Sequence, residues 1–211
     1  MTYDLHGVWD KPETPSKWVA PLLNAHTNLT EIKDAMDLLW RNGISPDKIT
    51  LGMAFYGRAF TASSPGCLAP GCTFETGANA QRCSHEVGIV MNSEIDQIIS
   101  SRGVTPTLNT AAAVKILTWD SNQWVAYDDA DTFVMKAKFA RGQCMGGLMV
   151  WAISHDTEDA KYSQLLGEAA KRKFTAVMRL GESQGTGTDD GYDYVADYKQ
   201  QCRWTGCNES E

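Results

Sequence analysis

Between Leu29 and Arg41 the apolar residues Ile32, Ala35, Met36 and Leu39 recur at three- and four-residue steps, the period of one helical face. Asn28 precedes this run as an N-cap, with Glu31 three positions on in a capping-box-like start, and Asn42-Gly43 closes it. Ile49 to Phe55 then reads as a short buried strand. After Phe60 the composition turns to Ser, Pro, Gly and Cys, the mark of a loop-rich insert. Structure resumes with a helix over Ser93 to Arg102 and a hairpin of Val114 to Trp119 and Trp124 to Tyr127 around Asp120-Ser121-Asn122-Gln123. Thr132 to Ala140 is helical by pattern. Gly147 to Ile153 is apolar and short enough for a strand buried on both faces, and Lys161 to Phe174 is a last amphipathic helix. The alternation of strand and helix is of the α/β type.

These elements divide the chain into residues 1–60, an α+β insert at 61–130, a strand with flanking helices at 131–175, and a tail at 176–211. The tail opens with a Gly, Thr, Ser and Asp rich linker and carries Cys202 and Cys207.

With 211 residues, 43% of them hydrophobic and 21% charged, the chain can bury a sizeable core. Its formal net charge of -7 disfavours a nucleic-acid partner, because that affinity rests on Lys and Arg neutralising phosphates. No apolar run approaches the ~20 residues that cross a bilayer, and the first residues, Met1 to His6, lack the basic and apolar regions of a secretory signal. Six cysteines nevertheless point to an oxidising compartment. Zinc is disfavoured, since no Cys-x-x-Cys pair occurs and the four histidines are scattered, so no metal or cofactor is expected. The pairing guessed from sequence is Cys67 with Cys72, Cys83 with Cys144 and Cys202 with Cys207. Two sequons, Asn28-Leu29-Thr30 and Asn208-Glu209-Ser210, agree with secretion, although Asn28 is better explained as a helix cap.

Three segments carry chemistry: Met1-Thr2-Tyr3-Asp4-Leu5-His6-Gly7-Val8-Trp9-Asp10, Leu51-Gly52-Met53-Ala54-Phe55-Tyr56-Gly57-Arg58-Ala59-Phe60, and Gly147-Leu148-Met149-Val150-Trp151-Ala152-Ile153. In order and spacing they resemble the sixth, seventh and eighth strands of family-18 chitinases, nearest the fungal secreted type related to killer-toxin chitinase subunits. The resemblance covers residues 1 to about 175. It implies a partial (β/α)8 TIM barrel, strands 6 to 8, with an inserted α+β subdomain and functional groups at the strand ends. It also implies an extracellular, monomeric parent protein acting on chitin or chitooligosaccharide, with no nucleic-acid or membrane partner.

Such enzymes are substrate-assisted: the sugar's acetamido oxygen attacks the anomeric carbon while one glutamic acid protonates the leaving oxygen. By the resemblance, Tyr3 donates its hydroxyl to the acetamido group, Asp4 orients substrate and acid, and Tyr56 and Arg58 line the leaving-group side. Trp151 forms the floor under the sugar and Trp9 an exposed platform. Plainer readings stand beside these. Tyr3 and Asp4 could cap a strand end, Arg58 could be a structural ion pair, and Trp151 could be core. Trp119, Trp124 and Tyr127 are assigned to the core of the insert.

The family's Asp-x-x-Asp-x-Asp-x-Glu pattern, which supplies the acid, occurs nowhere in the chain. The first five strands and the acid are therefore expected upstream of Met1, and the chain alone is expected to be inactive. A non-catalytic chitin-binding protein is the alternative.

Overall fold

The computed structural model describes residues 1–11 and 20–171. Helix α1 (Leu29–Arg41) follows a loop and leads to β1 (Thr50–Ala54). Next come β2 (Tyr56–Ala62), β3 (Phe74–Gly77), β4 (Ile89–Met91), α2 (Asn92–Arg102), β5 (Thr107–Asn109), β6 (Val114–Trp119) and β7 (Gln123–Tyr127). The chain then returns through α3 (Ala130–Gly142), β8 (Gly147–Trp151) and α4 (Lys161–Ala169).

Two sheets result. β1 and β8 pair in parallel, Thr50 with Gly147 through Ala54 with Trp151. The second sheet is antiparallel in the order β3-β2-β7-β6-β5, with β4 on β2. β2 starts one residue after β1 ends, so Tyr56 to Phe60 already belongs to the insert's sheet.

The β1/β8 pair explains both its own core and the site. Strand side chains alternate between faces. Leu51, Met53, Leu148 and Val150 point to one face and pack against Ile32 and Met36 of α1, Phe133 and Ala137 of α3 and Tyr162 of α4. Gly52, Ala54, Met149 and Trp151 take the other face, which in a parallel barrel is the interior. In the insert the same alternation feeds two cores. Trp124 and Ala126 join Phe60 and Phe74 on one face, while Val125 and Tyr127 join Leu117, Trp119, Ile95 and Ile98 on the other. Trp119, Trp124 and Tyr127 are buried, as the sequence reading assigned them.

Several expectations need correction. No ladder forms at the sixth-strand motif. Residues 1–3 lie along Gly52, where Thr2 Oγ1 donates to the Gly52 carbonyl, and Asp4 turns into the left-handed region at φ 61°, ending the extended run too early. β8 is not buried on both faces: every residue in it is at least partly exposed, and its last two expected members, Ala152 and Ile153, leave it for a 3-10 turn at Ile153–His155. Glu31 does not complete a capping box. Asn28 Oδ1 accepts from Thr30 N, while Glu31 reaches His6 instead. α4 stops at Ala169, and Lys171 is left-handed at φ 55°. Cys67 and Cys72 are bonded, but Cys83 is a free, exposed thiol and Cys144 is disulfide-bonded elsewhere, so the Cys83–Cys144 pairing is wrong. The Cys202–Cys207 pairing lies outside the described residues. Among the described residues no helix is long and apolar enough to cross a membrane.

A sheet of two strands, with β8 half-exposed throughout, is a weak unit beside the doubly covered insert. Unfolding of the isolated chain in urea is expected to be broad. A probe at Trp151 should lose its signal before one at Trp124, and coincident sharp transitions would contradict this.

Candidate functional site

The site forms where the segment 1–10 meets the start of β2. Asp4 is its centre. Its Oδ1 accepts from Tyr56 Oη at 2.7 Å and from Arg58 Nε at 2.8 Å, and its Oδ2 accepts from Arg58 Nη2 at 2.8 Å. The fork-on-carboxylate geometry uses two of the guanidinium's five N–H groups and holds Asp4 and Arg58 rigidly together. Arg58 is thus an ion pair, and its partner is a candidate site residue.

His26 holds Asp4 from beneath. It is fully buried, its Nδ1 lies 3.3 Å from Asp4 N and its Nε2 3.1 Å from the Tyr56 carbonyl oxygen. The backbone N–H must donate and the carbonyl must accept, so the ring is neutral with its proton on Nε2. Burial lowers its pKa in the same direction, against the pull of Asp4. This linkage stabilises Asp4 in its left-handed conformation, which aspartate tolerates better than most residues.

The charge balance follows. Burial alone would raise the Asp4 pKa, but hydrogen bonds from its neighbours and the Arg58 charge hold it well below the usual carboxylate range. Burial, then Asp4, push the Tyr56 phenol far up, so it stays protonated. Burial and Asp4 also raise Tyr3.

The two tyrosines differ in what they have left to offer. Tyr3 packs edge-on against Tyr56 with ring centroids 6.3 Å apart, in a cluster with Ala54 and Met149. Tyr56 gives its single hydroxyl proton to Asp4, so it can only accept from a ligand. The Tyr3 hydroxyl makes no hydrogen bond among the described residues and remains a free donor.

Trp9 stands at the rim, 49% exposed, its ring over Gly7 and its π face against the Arg58 guanidinium at 4.7 Å. Gly7 is needed for this approach, since a Cβ there would clash with the indole of Trp9. Trp151 is 57% exposed and so is no core residue. It makes no ring contact with the cluster, but sits on the same face of β8 as Met149, which does touch it.

The structure thus gathers Tyr3, Asp4, Trp9, Tyr56 and Arg58 directly and Trp151 through its strand. Sequence reading missed His26, His6 and His155. His26 stands in a loop with no motif around it. His155 packs edge-on against Tyr56 at 5.6 Å, its Nδ1 buried without a partner among the described residues and its pKa lowered by burial. Both make their contacts only through the tertiary fold.

The family description Glycosyl hydrolases family 18 matches residues 1–156. The chain belongs to this family. Among its curated relatives, Secreted chitinase LysM12 of Penicillium expansum is 34% identical over 164 residues, covering 72% of this chain and 11% of that protein. Killer toxin subunits alpha/beta of Kluyveromyces lactis is 29% identical over 166 residues, covering 75% and 13%. The chain therefore spans only a small part of these relatives. Among solved structures, a class V chitinase from Nicotiana tobaccum in complex with NAG4 shares the fold at TM-score 0.68 and 19% identity, covering 80% of this chain and 47% of that one. Human YKL-39, described as a pseudo-chitinase with retained chitooligosaccharide binding properties, aligns at TM-score 0.66 and 25% identity, covering 82% and 48%. The family-18 fold is the TIM barrel, and the β1/β8 pair with α1, α3 and α4 is the part of it present here.

Proposed function

We propose that this chain forms one side of the sugar-binding cleft of a secreted family-18 chitinase, which cleaves β-1,4-linked N-acetylglucosamine polymers with retention. The observation that carries this reading is the pairing of a committed phenol with a free one: Tyr56 is bound to Asp4, and beside it Tyr3 keeps its proton available. An acetamido oxygen that attacks its own anomeric carbon needs its nitrogen and carbonyl held still, with a donor where charge develops.

In this reading Tyr3 donates to the acetamido oxygen and remains protonated, since burial and Asp4 both oppose its ionisation. Asp4, ionised throughout the working range, accepts from the acetamido N–H or from a neighbouring acid. Arg58 has N–H groups to spare and Tyr56 a lone pair, which suits them to hydroxyls on the leaving-group side. Trp151 offers an open ring face for the pyranose and Trp9 a second one at the rim. The Cys67–Cys72 disulfide agrees with an extracellular setting.

Protonation of the leaving oxygen requires a carboxylic acid, and the family's acidic pattern is absent from these 211 residues. This chain alone is expected to bind without hydrolysing. The likeness to a pseudo-chitinase with retained chitooligosaccharide binding supports a second reading as a non-catalytic chitin-binding protein.

Replacing Trp151 by alanine should cost roughly 1–3 kcal/mol of binding to an N-acetylglucosamine tetramer, about five- to 150-fold in affinity by calorimetry. An unchanged affinity would remove Trp151 from the cleft. Hydrolysis of a fluorogenic chitooligosaccharide by this chain would refute its predicted inactivity. Binding with no hydrolysis by a longer form of the protein would favour the second reading.

A further inference from the structure

His6, Asp10 and Glu31 form a charged triad beside the cleft that none of the roles above uses. His6 Nδ1 lies 2.8 Å from Asp10 Oδ2, and its Nε2 lies 2.8 Å from Glu31 Oε1. A neutral imidazole has one N–H and one lone pair, and a lone pair aimed at a carboxylate repels it. Only the imidazolium satisfies both contacts at once. Burial would lower the ring's pKa, but the two carboxylates outweigh it and raise the ring above its ordinary value. The charged groups facing the ring are Asp10 from its own segment and Glu31 from α1; the second Glu31 oxygen is buried with no hydrogen-bond partner among the described residues.

The two carboxylates belong to elements with very different anchorage. Glu31 sits in the first turn of α1, held by the Asn28 cap and by buried Ile32 and Met36. Asp10 closes the short 3-10 turn Val8–Asp10, its N–H donating to the Gly7 carbonyl at 3.0 Å. No residue of that turn is buried, and Trp9 stands in it half-exposed, held otherwise by Gly7 and the Arg58 face.

We propose that His6 is a positioning residue for Trp9: as a cation it ties the turn Val8–Asp10 to α1 and sets the indole for stacking on a sugar, and loss of its proton releases the turn. This role deepens the cleft reading and rests on it. Since the folded pKa lies above the unfolded value of about 6.5, the tie is complete below that pH and is lost as pH rises through the folded value.

The test follows affinity of the full chain for the N-acetylglucosamine tetramer by calorimetry from pH 5 to 9, and the His6 ring by NMR without sugar. His6 should titrate above 6.5, and affinity should fall about fivefold or more over the same interval, the lower end of coupling between sites. In Glu31→Gln both midpoints should move down together. In His6→Gln affinity should sit at the weak limit with no change over that interval. A His6 midpoint at or below 6.5 overturns the proposal, as does flat affinity across its titration in the native chain. Should His6→Gln fail to fold, the native NMR titration and Glu31→Gln still decide. Trp9→Ala separates the two ideas: weaker binding with no link to His6 leaves the cleft and removes this role, whereas unchanged binding removes Trp9 from the cleft altogether.

Discussion

Lys136→Met is expected to destabilise the chain by roughly 3–5 kcal/mol, read as a lower urea midpoint at Trp124. Lys136 Nζ meets both oxygens of Asp128 at 2.6 and 2.7 Å, with each side chain 1% exposed. Burial pushes the lysine's pKa down in spite of that partner, so removal from water costs more than the attraction returns. The pair therefore contributes little by itself, yet removing one member strands a charge. That contrast gives the control: Asp128→Leu combined with Lys136→Met should recover most of the loss. A single variant as stable as the native chain would show that water or another group reaches Asp128. The effect bears on the site, because Asp128 and Lys136 both act electrostatically on His26, which holds Asp4 from below.

Asp4→Ala is expected to weaken tetramer binding by about 2 kcal/mol, close to 30-fold, with kinetics or calorimetry as readout on this chain. The substitution leaves the Arg58 fork without its acceptor and frees the Tyr56 proton. Two residues of the proposed cleft then lose their orientation together. The pH dependence has a definite sign. Asp4 has its folded pKa held far below the unfolded carboxylate value of about 3.9, so its stabilisation is fully present above that pH. It is lost only as pH falls through the folded value. Binding should therefore persist from neutrality down to about pH 4, with alkaline loss arising at His6. A drop in affinity centred between pH 5 and 6 would place a different acid in control.

Elements set by local pattern were legible along the chain. α1 runs from Leu29 to Arg41 as its apolar spacing indicated, and β6 from Val114 to Trp119. Helix and hairpin periods reflect interactions within a few residues, and these a linear sequence contains. The site was legible only in part, through motifs whose residues converge: Tyr3 and Asp4 stand more than 50 positions from Tyr56 and Arg58, yet the two pairs meet within one cluster.

What failed to be legible depended on competition between partners. Glu31 could cap its own helix or pair with His6, and only the approach of the first segment made the second contact available. Cys144 could be paired on paper with Cys83, because counting cysteines carries no distances. By itself the sequence determined helices α1 to α3, the β6–β7 hairpin, the three motifs and the missing acidic pattern, since each is a matter of residue type and spacing. Only the tertiary structure decided that Tyr56 is committed and Tyr3 free, that Trp151 is open rather than core, and that His6 bridges two carboxylates. A hydrogen-bond donor has one proton to give, and which acceptor receives it is settled by distances across the fold.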